Sequence, residues 1–186
     1  MIIIPSVEAT VLGELRTQLP SHSVTVVPEN YDPPADGFQT IGAAFAPTPE
    51  GREALRVAAA LARAGSSRLR AITVLDPKRA AEQSGAMAAL HGDIDPAEGP
   101  AARHRLEHEA ELRAAVDGLG DDVDSEVDIL ANDPVEGLLA AARHVDLLVM
   151  GSRGHGPVRA AILGSVSHSV SRQAPCPVVI LPRAER

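Results

Sequence analysis

The sequence predicts an α/β fold: an open, parallel five-stranded sheet with helices on both faces, preceded by a strand–helix–strand remnant. Three observations predict it. Short β-branched runs alternate with Ala- and Leu-rich helical stretches from residue 40 to the end. Apolar residues make up 45% of the 186 positions while aromatics make up 2%, which suits a buried sheet of small branched side chains under Ala-rich helices. Turn and capping residues fall between the runs at the places where a strand must hand over to a helix.

The elements follow in order. Residues 40–45 (TIGAAF) read as a short buried strand. Thr48-Pro49-Glu50 then supplies a hydroxyl N-cap, a proline at the first helical position and an acid in the first turn. Leu55, Ala58, Ala59 and Ala62 recur at helical spacing, and Gly65 with two serines closes that helix. RLRAITVL, from Arg68 to Leu75, is a second strand, stopped by Asp76-Pro77. The stretch 78–100 is rich in glycine and proline and reads as an irregular insertion, with a short helix around Ala86–Leu90. Ala101–Leu119 is a helix, Ser125–Leu130 a strand, and Asn132-Asp133-Pro134 opens a further helix to about Arg143. Asp146–Met150 is a strand, Ser165–Gln173 a helix and Pro177–Leu181 the last strand, placed at the sheet edge.

The N-terminus resembles the C-terminus. Ile2–Ser6 (IIIPS) is similar to Leu148–Ser152 (LVMGS), Val11-Leu12-Gly13 to Ile162-Leu163-Gly164, and Val24–Pro28 (VTVVP) to Val178–Pro182 (VVILP). Residues 1–31 therefore read as a degraded, shortened copy of the last strand–helix–strand unit, 32–39 as a linker and 40–186 as the main domain. The copy lacks a glycine loop and is not expected to hold phosphate.

Charge and composition exclude several roles. The net charge is −8 and no run of Lys and Arg marks one face, which disfavours duplex nucleic acid and anionic membranes. No apolar run is long enough to span a bilayer, and the start lacks the basic lead of a signal peptide. A single cysteine, Cys176, permits no internal disulfide and points to the cytoplasm.

One segment carries chemistry. Gly151, Gly154, Gly164 and Ser165 form G-x2-G-x9-G-S between a strand and a helix. Glycines let a ligand approach the backbone, free N–H groups in such a turn form a concave anion site, and a helix start favours negative charge. Ser165 and Ser167 add hydroxyls; Ser152, Arg153 and His155 lie on the loop, and Arg153 or Arg159 is placed to neutralise a phosphate. The Walker A reading of Gly151–Gly156 fails because Pro157-Val158 follows rather than Lys-Ser or Lys-Thr.

The stretch DLLVMGSRGHGPVRAAILGSVSHSVSRQAPCPVVILP resembles the signature of the universal stress protein family. TIGAAFAPTPEGREALRVAAALARAGSSRLRAITVLDP is similar to that family's first strand, helix and second strand, and NDPVEGLLAAARHVDLLVMGS to its third helix and fourth strand. The resemblance implies an adenine-nucleotide alpha-hydrolase-like fold, ATP or a related nucleotide as ligand, with or without Mg, and pairing through the last strand. Residue by residue, it carries Ala46, Pro47 and Thr48 to the nucleoside side and Val74 and Leu75 to the adenine wall. Gly151, Arg153, Gly154, Gly164, Ser165, Val166 and Ser167 go to the phosphate side, and His155, on the same loop, is a further candidate there. It also marks a departure, since nucleotide-binding members end the first strand with an aspartate where this chain has Ala46. Two functions follow as expectations: a nucleotide-binding stress-response or signalling module without catalysis, or a non-binding dimerisation module of the same fold. Assembly is expected as a homodimer through Pro177–Leu181, or as pairing of Ser23–Val27 with that strand inside one chain.

A second pattern points elsewhere. His104-x-x-Glu107-His108 matches a zinc-peptidase spacing. An apolar stripe through Leu106, Ala110, Leu112 or Arg113, and Val116 turns both imidazoles to water, so no metal is expected.

Overall fold

Two strand–helix junctions are fixed by local devices visible in the chain. The computed structural model describes residue 19 and residues 23–29, 31–79, 100–152 and 164–182. Its strands are β1 (Val24–Val26), β2 (Thr40–Ala44), β3 (Arg68–Leu75), β4 (Ser125–Ala131), β5 (Leu147–Ser152) and β6 (Val178–Pro182). Its helices are α1 (Pro49–Gly65), α2 (Pro100–Asp117), α3 (Pro134–Ala142) and α4 (Ser165–Gln173). At α1, Thr48 Oγ1 accepts from the Gly51 amide at 3.1 Å, with Pro49 just inside the helix. The helix ends on Ser66 in the left-handed region at φ 53°, its N–H returning to the carbonyls of Ala62 and Arg63. At α3 the Asp133 carboxylate accepts from the amides of Val135 (2.8 Å) and Glu136 (3.3 Å).

The sheet has six strands in the order β1-β6-β5-β2-β3-β4. The five from β6 to β4 are parallel, and β1 runs antiparallel to β6. Side chains alternate across the sheet, so each strand feeds two cores. Leu147, Val149 and Val179 pack with α1 and α2 on one face; Leu148, Met150, Val178 and Ile180 pack with α3 and α4 on the other. Central strands buried on both faces must be apolar throughout, which is why β5 and β6 read as continuous hydrophobic runs.

The last strand is not an edge. β1 covers it, pairing Val24 with Ile180, Thr25 with Val179 and Val26 with Val178. The expected edge position for Pro177–Leu181 is therefore corrected, and of the two pairings expected for that strand the intrachain one is present. The reason is that β6 would otherwise expose a row of backbone donors and acceptors, which a segment of the same chain satisfies. The repeat pieces Ile2–Ser6 and Val11–Gly13 lie outside the described residues, as does the short helix expected at Ala86–Leu90.

The segment between β1 and β2 is tied to the start of β5. Asp146 Oδ2 accepts from the amides of Gln39 (2.8 Å) and Thr40 (2.9 Å), and the Tyr31 hydroxyl donates to the Asp146 carbonyl at 3.2 Å. Burial, then the Asp146 charge, pushes the Tyr31 phenol from 10.0 up to about 12. Because the folded value is raised, the neutral phenol's contribution to stability is complete below pH 10 and is lost as pH rises towards 12. Tyr31 is the one tyrosine in a chain without tryptophan, so phenolate absorbance reports it alone. The expected midpoint in the folded protein lies well above 10, and returns to about 10 in denaturant.

Candidate functional site

Strand order reverses between β2 and β5. From β2 the chain proceeds to β3 and β4 on one side, and from β5 to β6 on the other. Beyond the carboxyl ends of such strands the connections diverge and leave a crevice. A cavity of about 590 Å³ occupies that place.

Ten of the sequence-predicted residues meet there: Ala46, Pro47, Thr48, Val74, Leu75, Gly151, Gly164, Ser165, Val166 and Ser167 line this one cavity. Arg153, Gly154 and His155 lie outside the described residues, as does Arg159. The strand ends position the first group. Phe45 N–H bonds to the Ile72 carbonyl at 2.7 Å, and Thr48 N–H to the Ala46 carbonyl at 2.7 Å, so the chain turns tightly from β2 into α1.

Gly151 is not in the loop but within β5, and its role is a matter of space. A Cβ there would lie 2.6 Å from the Glu50 carbonyl oxygen and 2.8 Å from the Glu50 Cβ. The first turn of α1 therefore rests directly on the end of β5, which brings the two strand ends together under the cavity.

Ser152, one residue on, is 2% exposed and ends an otherwise apolar strand. Its Oγ accepts from Gly164 N–H at 2.9 Å, and Ser167 Oγ lies 3.3 Å away. Ser167 Oγ also donates to the Gly164 carbonyl at 2.9 Å. Two hydroxyls thus clamp the residue before α4 from both sides, and the Ser167 hydroxyl is committed to the clamp rather than presented to a ligand. Gly164 gives α4 no side-chain cap. The first backbone donor of α4 bonded within the helix is His168, to Gly164. Among the described residues no acceptor takes the amides of Ser165, Val166 and Ser167. Three N–H groups at the positive end of a helix dipole therefore stand beside the cavity, with an exposed Ser165 hydroxyl next to them.

The cavity also holds residues the sequence reading did not place. Glu50, 8% exposed, and Met150 and Leu138 line it, with Asp76 and Arg79 joined by an ion pair at 3.7 Å. His104 and His108 line it too. The expectation that both face water is corrected: Leu106 is the exposed residue, at 63%, whereas Leu112 is fully buried and Val116 is buried. His104, His108, Leu112 and Val116 form one i,i+4 row, and the two buried members turn the whole row inward. Taking Leu106 as core rotated the predicted stripe away from it.

Cys176, opposite the site chemistry, is a buried thiol pushed from 9.0 to about 11, chiefly by burial. Burial thus disfavours the thiolate, the nucleophilic form. No described helix is long and apolar enough to cross a membrane.

Comparison with known proteins agrees with this architecture. Residues 37–182 match the model of the universal stress protein family. A universal stress protein of Thermus aquaticus is 32% identical over 146 residues, covering 77% of this chain and 98% of that protein. Among solved structures, a universal stress protein in complex with cAMP superposes with a TM-score of 0.53 at 22% identity, covering 77% of this chain and 96% of that one. One from Archaeoglobus fulgidus in complex with dAMP superposes with a TM-score of 0.51 at 18% identity, covering 81% and 97%.

Proposed function

The chain belongs to the universal stress protein family, and from that premise we propose that it is a non-catalytic nucleotide-binding module of the ATP class. The observation that carries this reading is the start of α4, where three amides with no acceptor among the described residues and a serine hydroxyl face a cavity at the sheet's switch point. The phosphates sit on Ser165, Val166 and Ser167, while the nucleoside lies between Ala46–Thr48 and Val74-Leu75. The volume suits a ligand of that size. Structural relatives holding cAMP and dAMP support an adenine nucleotide over other anions. The strand-end acid missing at Ala46 has a neighbour: Glu50, a buried acid within the first turn of α1, lines the same wall. Arg153, Gly154 and His155 complete the phosphate side in this reading. In this reading binding rather than hydrolysis is the activity.

The antiparallel β1–β6 pair supports reading residues 1–31 as the remnant of a first repeat, 32–39 as its linker and 40–186 as the main domain. β1 occupies the strand through which a homodimer would form. A dimer through β6 then requires β1 to be exchanged between chains.

The test is calorimetric titration with ATP, with and without Mg. Ser165→Asp is the informative variant. A carboxylate in the first turn of a helix favours the helix, so the fold is retained. The same charge meets the phosphates, at about 1–4 kcal/mol per unit-charge pair near 4 Å depending on solvent screening. Wild-type binding and a loss of about tenfold or more in the variant are expected. Equal affinity would remove the phosphates from α4. A folded wild type that takes no nucleotide favours instead an interaction module, the reading suggested by the alanine at position 46.

A further inference from the structure

The row His104–His108 has a geometry that nucleotide binding does not use. We infer that the two imidazoles form a binding site for a borderline divalent metal of the zinc class, built on α2 at the cavity wall.

The two residues are one helical turn apart, and their rings touch, with centroids 4.1 Å apart and planes crossed at 61°. Both are half-buried and line the cavity. His108 Nδ1 lies 3.0 Å from the His104 carbonyl oxygen. A carbonyl only accepts, so Nδ1 of His108 carries the proton and donates it. In the neutral ring the lone pair is then on Nε2, at the edge turned away from the backbone. A ring nitrogen donating to a carbonyl while the other binds is the arrangement that orients metal-ligating histidines. Imidazole nitrogens suit zinc, copper and nickel. Among the charged groups lining the cavity, Glu50 and Asp76 are acids and the Arg79 guanidinium lies 3.7 Å from Asp76. Glu107 is exposed on the outer side of α2 and is not a member of the site.

Among the described residues no third His, Cys, Asp or Glu joins the pair. The metal therefore keeps open coordination positions, turned into the cavity, where water, a phosphate oxygen or a base nitrogen completes its shell. Such a site differs from a closed structural zinc centre, in which protein ligands fill all four positions. It does not depend on the nucleotide reading, since it needs the chain alone.

The experiment is titration of the nucleotide-free full chain with Zn2+ after chelator treatment, by calorimetry, alongside His104→Ala, His108→Ala and His144→Ala. Alanine favours the helix, and circular dichroism checks that α2 is retained. Zinc uptake by the wild type is expected, weakened by at least about tenfold in each of the first two variants and unchanged in the third, because losing even an orienting partner costs that much. Absence of uptake by the wild type overturns the inference. So does uptake that survives either substitution, since a single imidazole then suffices.

Discussion

Alanine at Gly51 destabilises the chain by about 1–3 kcal/mol, the range for forcing atoms into a packed site. Helix propensity alone predicts the opposite sign, because alanine is better than glycine inside a helix by about 1 kcal/mol. The difference is made by Ala46. A Cβ on Gly51 would lie 2.2 Å from the Ala46 carbonyl oxygen and 2.7 Å from its amide nitrogen. Both are backbone atoms, so relief requires moving the turn that joins β2 to α1. That turn is the nucleoside wall in the proposed reading, and the variant is expected to lose nucleotide affinity as well as stability. Chemical denaturation gives the first effect and ATP titration the second. A variant more stable than wild type would show that the turn from β2 into α1 yields to the added methyl at little cost.

The second large effect is expected at Ser152→Ala. The substitution leaves the Gly164 amide without its acceptor inside the protein and removes the partner at 3.3 Å from Ser167. A donor left unpaired costs about 1–3 kcal/mol when buried, an upper bound for this part-buried amide. The cost falls on the anchor of α4, whose first three amides are placed by that clamp. ATP affinity should therefore fall although residue 152 touches no phosphate in the proposed pose. Ser167→Ala should reproduce part of the loss, and the double variant should lose less than the sum, because both act on one anchor. Strict additivity would mean that the two hydroxyls do not work as a unit.

Much of this fold is legible in the residues because local chemistry and burial agree. Thr48-Pro49-Glu50 and Asp133-Pro134 announce helix starts that the structure places there. Ser165–Gln173 is the observed α4, since Gly164 stops the strand connection and Ala174-Pro175 stops the helix. What was hidden is relational. The place of β6 in the sheet depends on β1, three residues long and far away in sequence, so the residues offered that pairing only as one of two for the last strand. The inward row of α2 was masked by Leu106, a large apolar residue that stays exposed while histidines take the inner positions. Gly151 looks in sequence like a loop glycine, yet the need for it comes from Glu50, a contact across two elements. Ser152 did carry a signal: a hydroxyl at the end of the apolar run Leu147–Met150 must find a partner if buried, and its partners are Gly164 and Ser167.

The central claim is that the crevice at the switch point holds a nucleotide with its phosphates on α4. A crystal structure of the chain grown with ATP tests it most directly. The account predicts phosphate oxygens within hydrogen-bond distance of the Ser165, Val166 and Ser167 amides and a base against Val74 and Leu75. Nucleotide bound outside this cavity, or with its phosphates turned away from the start of α4, would contradict it.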